Sequence, residues 1–514
     1  MEQAQTHPAA PPPPLAPRSF LLLCVLSAAG LLLAKASTLN EPHYWDAVGC
    51  YMPQARELAR HGFNLDAYRG LPFIRPPFYS GVLALVMDFV SPARVLLRGV
   101  TVVWGALCLP AVYAMCRALG GGRAAGVVAM VGCAISPTYF AQLGMVQTDL
   151  PAMTLCAWAW VLSLYGRRAG FALVASLAVL TKESSIFICL PAALLIAIRH
   201  TDWLMQPAAA RSRGAAGRLL PFILSLLYAW PTAVPALVLL LWLTLHRALT
   251  GHLVAADHLE AIMSLPTLSG ALLHSFVESG RPLLLLAACP AVLPALRGAE
   301  PAGGRRWEIL MTALGLLVLP LVFSAGLPRY MLLSLPLLCA LAGLGLSRLT
   351  REQRLGATVL LGALLLLGWH GDSIHENTGY HLERNLDYQP LLRLHQQLAR
   401  ELASQRPRAV LCAFPVTSIL TAPPDDGYLP APLPARFALA DEPLSTLCQA
   451  DFLVEAEGGS LGAVKTRLAA AGALTLWKTL GEPEGEVGAR RLTPRWARVD
   501  HRIRIYKVAC PAPS

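Results

Sequence analysis

Charge is what this sequence has least of. Only 14% of its 514 residues are Asp, Glu, Lys or Arg, whereas a soluble domain carries about a quarter. Hydrophobic residues reach 55% and mean hydropathy is +0.51. Those values exclude an ordinary water-soluble domain and predict a polytopic membrane protein. Metal-finger spacing is missing too, because the twelve cysteines include no CxxC pair. Cys24, Cys108, Cys116, Cys133, Cys156, Cys189, Cys289 and Cys339 lie in or beside apolar runs and read as small hydrophobes. Cys50, Cys412, Cys448 and Cys510 fall in predicted exterior segments, where a disulfide has room to form in a pairing the sequence leaves open. There is no internal repeat and no Gly-rich phosphate loop.

What the chain does have is a series of apolar spans. They lie near 19–36, 94–118, 123–141, 149–166, 169–181, 184–199, 219–246, 283–297, 307–326, 329–347 and 354–371. A full crossing takes about 20 apolar residues, so 169–181 and 184–199 read as a short, broken pair. Residues 1–18, MEQAQTHPAAPPPPLAPR, form a Pro-rich tail. The run after it has only Arg18 as an n-region, so it reads as a retained helix and not a cleaved signal. Arginine crowds 117–123, 166–168, 199–218, 297–306 and 348–354. The opposing links 142–148 and 326–328 have no Lys or Arg, and 182–183 has Lys182 alone. That asymmetry sets the N-terminus and the tail 1–18 in the cytoplasm, and eleven spans then put the C-terminus outside.

Two exterior regions are large, 37–93 and 372–514. The second carries 16 acidic and 16 basic residues, so the net charge of +11 belongs to the membrane half. Cytoplasmic loops facing anionic lipid account for it, and it is no argument for nucleic acid. Helical spacing over 388–404 and 461–472 alternates with strand-like 408–414, 451–457 and 501–508. The expected fold is therefore an α-helical polytopic membrane protein, 19–371 with about 11 transmembrane helices. A C-terminal extracytoplasmic α/β domain with a partly parallel sheet follows over 372–514.

Polar residues gather on the exterior face. NEPHYWDAVGCYMPQARELARHGF (40–63) suits an interfacial helix that starts at Asp46, with Tyr44 and Trp45 at headgroup level. Arg75-Pro76-Pro77 sets a fixed charge just ahead of a helix N-terminus, a cradle for phosphate, with Phe78 and Tyr79 bordering it. GMVQTDLPAM (144–153) brings Asp149 to the same face, LTKESSIF (180–187) brings Lys182, and GLPRYMLLSLP (326–336) brings Arg329 and Tyr330. Each has a plainer explanation: helix capping for the two aspartates, a snorkelling anchor for Arg75 and Arg329, and mutual pairing of Lys182 with Glu183. Convergence on one face argues for more.

In this order the motifs resemble those of the GT-C glycosyltransferases. They are most similar to the protein O-mannosyltransferase and aminoarabinose transferase group, over roughly residues 20–370. That resemblance implies sugar transfer from a polyprenyl-phosphate donor to an extracytoplasmic hydroxyl on a glycan, lipid or protein, with inversion. Asp46 would be the base and Asp149 its companion, orienting the acceptor or sharing a divalent cation with Asp46. Arg75, Lys182 and Arg329 would hold the donor phosphate, and Glu41, Tyr44, Tyr79 and Tyr330 would line the substrate path. The group's first loop carries Asp-Glu, but here Ala47 follows Asp46. A multi-pass transporter or a non-catalytic scaffold are the rival readings. The first expects midplane charges in matched halves, and the second rests on Ala47. The Arg- and Ala-rich composition suggests a bacterial inner membrane.

Overall fold

The computed structural model describes residues 16–62, 64, 71, 74–208, 216–251, 281–298, 305–322, 328–369, 386, 388–456, 461–481 and 503–510. The Pro-rich tail before residue 16 and the link 323–327 lie outside them.

Helix α1 (Pro17–Lys35) leads to a segment that includes a π-helical turn, Ala47–Tyr51, running straight into α2 (Met52–His61). α3 (Pro77–Phe89) starts on the second proline, where a missing N–H does no harm. The apolar runs then become α4 (Arg94–Ala118), α5 (Arg123–Ala134), α6 (Pro137–Gln142), α7 (Asp149–Leu164), α8 (Arg168–Val179), α9 (Ser185–Ala208) and α10 (Ala216–Thr250). α11 (Arg281–Leu296), α12 (Arg306–Val322), α13 (Leu335–Leu346) and α14 (Arg351–Leu367) complete this half. α13 is entered through a 3-10 segment, Pro328–Ser334.

Each expected span overlaps a helix, though the one over 184–199 extends to Ala208 and the helix in 329–347 begins only at Leu335. Four described stretches are long and apolar enough to cross a membrane: Pro17–Thr38, Arg94–Ala118, Trp230–Thr250 and Arg329–Leu346. The other apolar helices are shorter, so eleven full crossings are not what lengths alone return. The expected span 123–141 breaks at Ser136-Pro137, because a proline there cannot continue the hydrogen-bond ladder. A single apolar core joins α4–α9 and α11–α14, with Trp160, Met115 and Leu341 fully buried in it.

The C-terminal part opens with α15 (Tyr388–Gln405) and builds a five-stranded sheet. β1 (Val410–Cys412), β2 (Ala435–Phe437) and β3 (Phe452–Glu455) pair in parallel, while β5 (Ile503–Val508) runs antiparallel between β3 and β4 (Leu474–Leu480), giving the order β2-β1-β3-β5-β4. Three strands and both helices match the sequence reading. β2 and β4 were not expected: β2 is only three residues after a proline, whereas LTLWKTL carries a Thr- and Trp-rich strand signal that the sequence reading passed over. Cys448 pairs with Cys510 across a Cα separation of 5.6 Å, which closes the question of pairing, and Cys50 and Cys412 are free.

The two halves are packed together. The sheet's core runs on through Tyr388 and Ile419 into Tyr44, Trp45, Val48, Ala141 and Met145 of the helical half. Arg56 of α2 donates to Asp426, which has no exposed surface. His43 gives its backbone N–H to the Asp426 carbonyl at 3.1 Å and accepts from the Tyr428 hydroxyl at 2.6 Å.

Candidate active site

Asp46 stands where the chain turns. Trp45, just before it, has φ +51°, a left-handed conformation that a bulky residue adopts only when its surroundings hold it. They do so here: its ring packs edge-on against Phe414 at 5.5 Å, and Tyr44 lies 5.7 Å from Tyr388. Both side chains are buried, at 1% and 5% exposure. They therefore form the seam with the C-terminal part and are not exposed anchors. The following helix is amphipathic: Val48, Tyr51, Met52, Ala55 and Leu58 are buried, while Arg60 and His61 are exposed. Gly49 is required there: a Cβ would stand 2.6 Å from the Phe414 ring.

Neither aspartate caps its helix. The Asp46 carboxylate accepts from Arg329 Nη2, and Arg329 Nη1 donates to Gln147 Oε1 at 3.0 Å. Its Nε lies 4.0 Å from Asp149 Oδ2, so one guanidinium spans both carboxylates. Asp149 Oδ1 accepts from Lys182 Nζ, and that ammonium sits 3.8 Å from the centre of the Tyr330 ring. Exposure is 1% for Asp149 and 3% for Arg329 against 15% for Asp46, so Asp46 is the carboxylate a second molecule reaches. Burial lowers the Lys182 pKa and Asp149 opposes that shift. The plainer readings fail for this group. Lys182 pairs with Asp149, whereas Glu183 accepts from Trp242 Nε1 at 3.2 Å. Arg329 is too deeply buried to be a snorkelling anchor.

Arg75 reaches the same neighbourhood. Its guanidinium is in electrostatic range of Tyr51, Cys50, Tyr330 and Glu183, and Lys182 feels it as well. Its Nε is buried without a hydrogen-bond partner. The helix end behind it is less open than expected, for Phe78 N–H donates to Leu180 O at 2.9 Å. That bond ties α3 to the link carrying Lys182. Tyr51, in electrostatic range of Asp46, Arg75, Asp149 and Arg329, accepts from the Thr148 hydroxyl at 3.0 Å.

Three expected lining residues stand apart from this constellation. Tyr79 is wholly buried with its hydroxyl 2.6 Å from Thr101. Tyr44 belongs to the seam. Glu41 has its pKa raised by burial, with Arg98, Lys35 and Arg393 as the opposing charges, so it joins a separate cluster. The sequence reading missed Gln147, although it lies two residues before Asp149, and Tyr51. A polar uncharged residue in a short link carries no signal of its own.

The donor set does not suit a divalent cation. No group of three His, Cys, Asp or Glu that could hold a metal occurs among the described residues, and Arg329 and Lys182 already occupy both carboxylates. Burial pushes the Cys50 thiol up to about 12, with Asp46 adding to it, so it offers no thiolate. Ala47, in the place of the second acid, is fully buried among Met52, Tyr79 and Leu83. A carboxylate there would sit in an apolar core and not in the cluster.

No protein-family model matches the sequence, and no curated protein matches it. Solved structures do. The crystal structure of ArnT from Cupriavidus metallidurans bound to undecaprenyl phosphate superposes with TM-score 0.53 at 15% identity, covering 97% of this chain and 100% of that one. Its apo state superposes with TM-score 0.53 at 14% identity, covering 96% and 99%. At such identity the likeness is one of fold, and it spans both the helices and the C-terminal sheet: the chain shares the fold of ArnT.

Proposed function

We propose that the chain is a membrane glycosyltransferase that moves a sugar from a polyprenyl-phosphate carrier to a hydroxyl outside the cytoplasm. The observation that carries this reading is the buried constellation of Asp46, Arg329, Asp149 and Lys182, with Arg75 beside it, in a fold shared with a protein solved with undecaprenyl phosphate. In this reading the N-terminus and the tail 1–18 are cytoplasmic, 19–371 crosses the bilayer about eleven times, and 372–514 lies outside, where an oxidising compartment suits the Cys448–Cys510 bridge. The acceptor is a glycan, lipid or protein.

The chemistry follows from charge. The acceptor oxygen attacks the anomeric carbon as the bond to the carrier phosphate breaks, and that electron pair stays on the phosphate. Arg75, with Lys182, faces the growing negative charge in a site poor in water, where such fixed charges act most strongly. The acceptor proton passes to Asp46, the more exposed carboxylate. Asp149 holds Lys182 and Arg329 in place. Direct attack inverts the anomeric centre.

The test is glycolipid mass spectrometry of cells lacking the chain, then of the same cells given wild type or Asp46→Asn. The expected outcome is an accumulated polyprenyl-phosphate sugar that wild type clears and Asp46→Asn does not. Equal clearance by Asp46→Asn would remove the base from the proposal, and no accumulation in any strain would remove the donor.

A further inference from the structure

Residue 75 has an unusual backbone problem. Two prolines follow it, so the chain there is held extended and neither next residue offers an N–H. A half-buried peptide in such a place still needs partners for its own N–H and C=O. Both are supplied by one side chain. Arg75 N–H donates to Gln54 Oε1 at 3.0 Å, and Gln54 Nε2 donates to Arg75 O at 2.8 Å. Gln54 has no exposed surface, although it lies on α2 among Met52, Ala55 and Leu58. An amide is the side-chain group that presents a neutral donor and acceptor side by side, which is what a peptide edge requires.

The placement of Gln54 matters more than the bonds themselves. The π-helical turn Ala47–Tyr51 and α2 are continuous, so Asp46 stands at one end of an element whose middle grips residue 75. At the other end of the Arg75 side chain, Nε is buried without a partner, so that nitrogen does not steer the guanidinium. The backbone at residue 75 sets the base of that side chain. We infer that Gln54 is a positioning residue: by reading both edges of the Arg75 peptide, it sets the guanidinium that receives the donor phosphate at a constant spacing from Asp46. The inference rests on the assignment of Arg75 to that phosphate.

The test is a double-mutant cycle on the purified full-length protein in nanodiscs, titrated with undecaprenyl phosphate, with thermal unfolding recorded alongside. Gln54→Met removes both bonds at similar length. Gln54→Glu keeps the acceptor, loses the donor, and carries the cycle if the Met variant fails to fold. Each is expected to weaken undecaprenyl phosphate binding by about tenfold, the size of one hydrogen-bond loss passed on to the ligand. Arg75→Ala weakens binding at least as much. Added to Arg75→Ala, either Gln54 variant should cost nothing further, since the group it positions is gone. A purely structural glutamine predicts something else: a lower unfolding temperature with unchanged affinity, or losses that add. Either result overturns the inference while leaving the donor reading intact. Unchanged affinity in Arg75→Ala alone overturns the phosphate clamp and this inference with it.

Discussion

Replacing Asp149 by Asn separates a structural ion network from a catalytic base. Asp149 is 1% exposed, accepts from Lys182 Nζ, and lies 4.0 Å from Arg329 Nε. At that separation a unit charge pair is worth about 4 kcal/mol at an effective dielectric of 20. Desolvation of the buried charges offsets most of that attraction, so the carboxylate holds two cations at little net gain, and its removal strands them. Losing one partner of a buried pair costs about 3–5 kcal/mol, and thermal unfolding of the purified variant should show it. Removing both members together with Asp149→Asn/Lys182→Met should recover most of that stability but none of the turnover.

The pH dependence has a definite sign. Burial holds the Lys182 pKa below its usual 10.5, and Asp149 is the main influence that keeps it from falling further. The folded protein thus binds fewer protons at Lys182 than the unfolded chain does between the two values, and stability rises with pH across that window up to 10.5. Without Asp149 the window opens further toward neutral pH, so Lys182 sheds its proton more readily and, in the proposed reaction, the donor phosphate loses a cation. Sugar transfer by Asp149→Asn should accordingly recover as pH is lowered. Asp46→Asn should not recover, because a missing base cannot be restored by acid. Transfer by Asp149→Asn that falls or stays level toward acid pH would refute this account. So would stability losses in the double variant that simply add.

Two further outcomes bear on the seam between the halves and on the C-terminal part. Gly49→Val should cut transfer at least as strongly as it lowers the unfolding temperature, because the new side chain meets the Phe414 ring where a Cβ alone would stand at 2.6 Å. Overpacking of this kind costs about 1–3 kcal/mol, and wild-type transfer in a folded variant would dissociate the seam from the site. Cys510→Ser should destabilise the C-terminal part by about 2–4 kcal/mol, since the bridge closes a loop with a sequence separation of 62. Thermal unfolding with and without reductant reads this directly, with wild type under reductant expected to match the variant.

Much of this molecule was legible in its sequence. The apolar runs located the helices, because hydrophobic length is read from composition, but not every bound or break. Order and sidedness brought Asp46, Arg75, Asp149, Lys182 and Arg329 to one face. Sequence did not say who pairs with whom. Lys182 stands beside Glu183 yet reaches Asp149, and Arg329 crosses 283 residues to Asp46. Such choices follow from how helices pack, and local spacing carries no record of them. Packing also moved Tyr44, Trp45 and Tyr79 into buried positions, gave Gln147 and Gln54 their partners, and joined Cys448 to Cys510. Which residues could do chemistry was written in their types. Which of them meet was decided by the tertiary structure, since burial makes an unpaired charge too costly to leave alone and so selects a partner by distance in space.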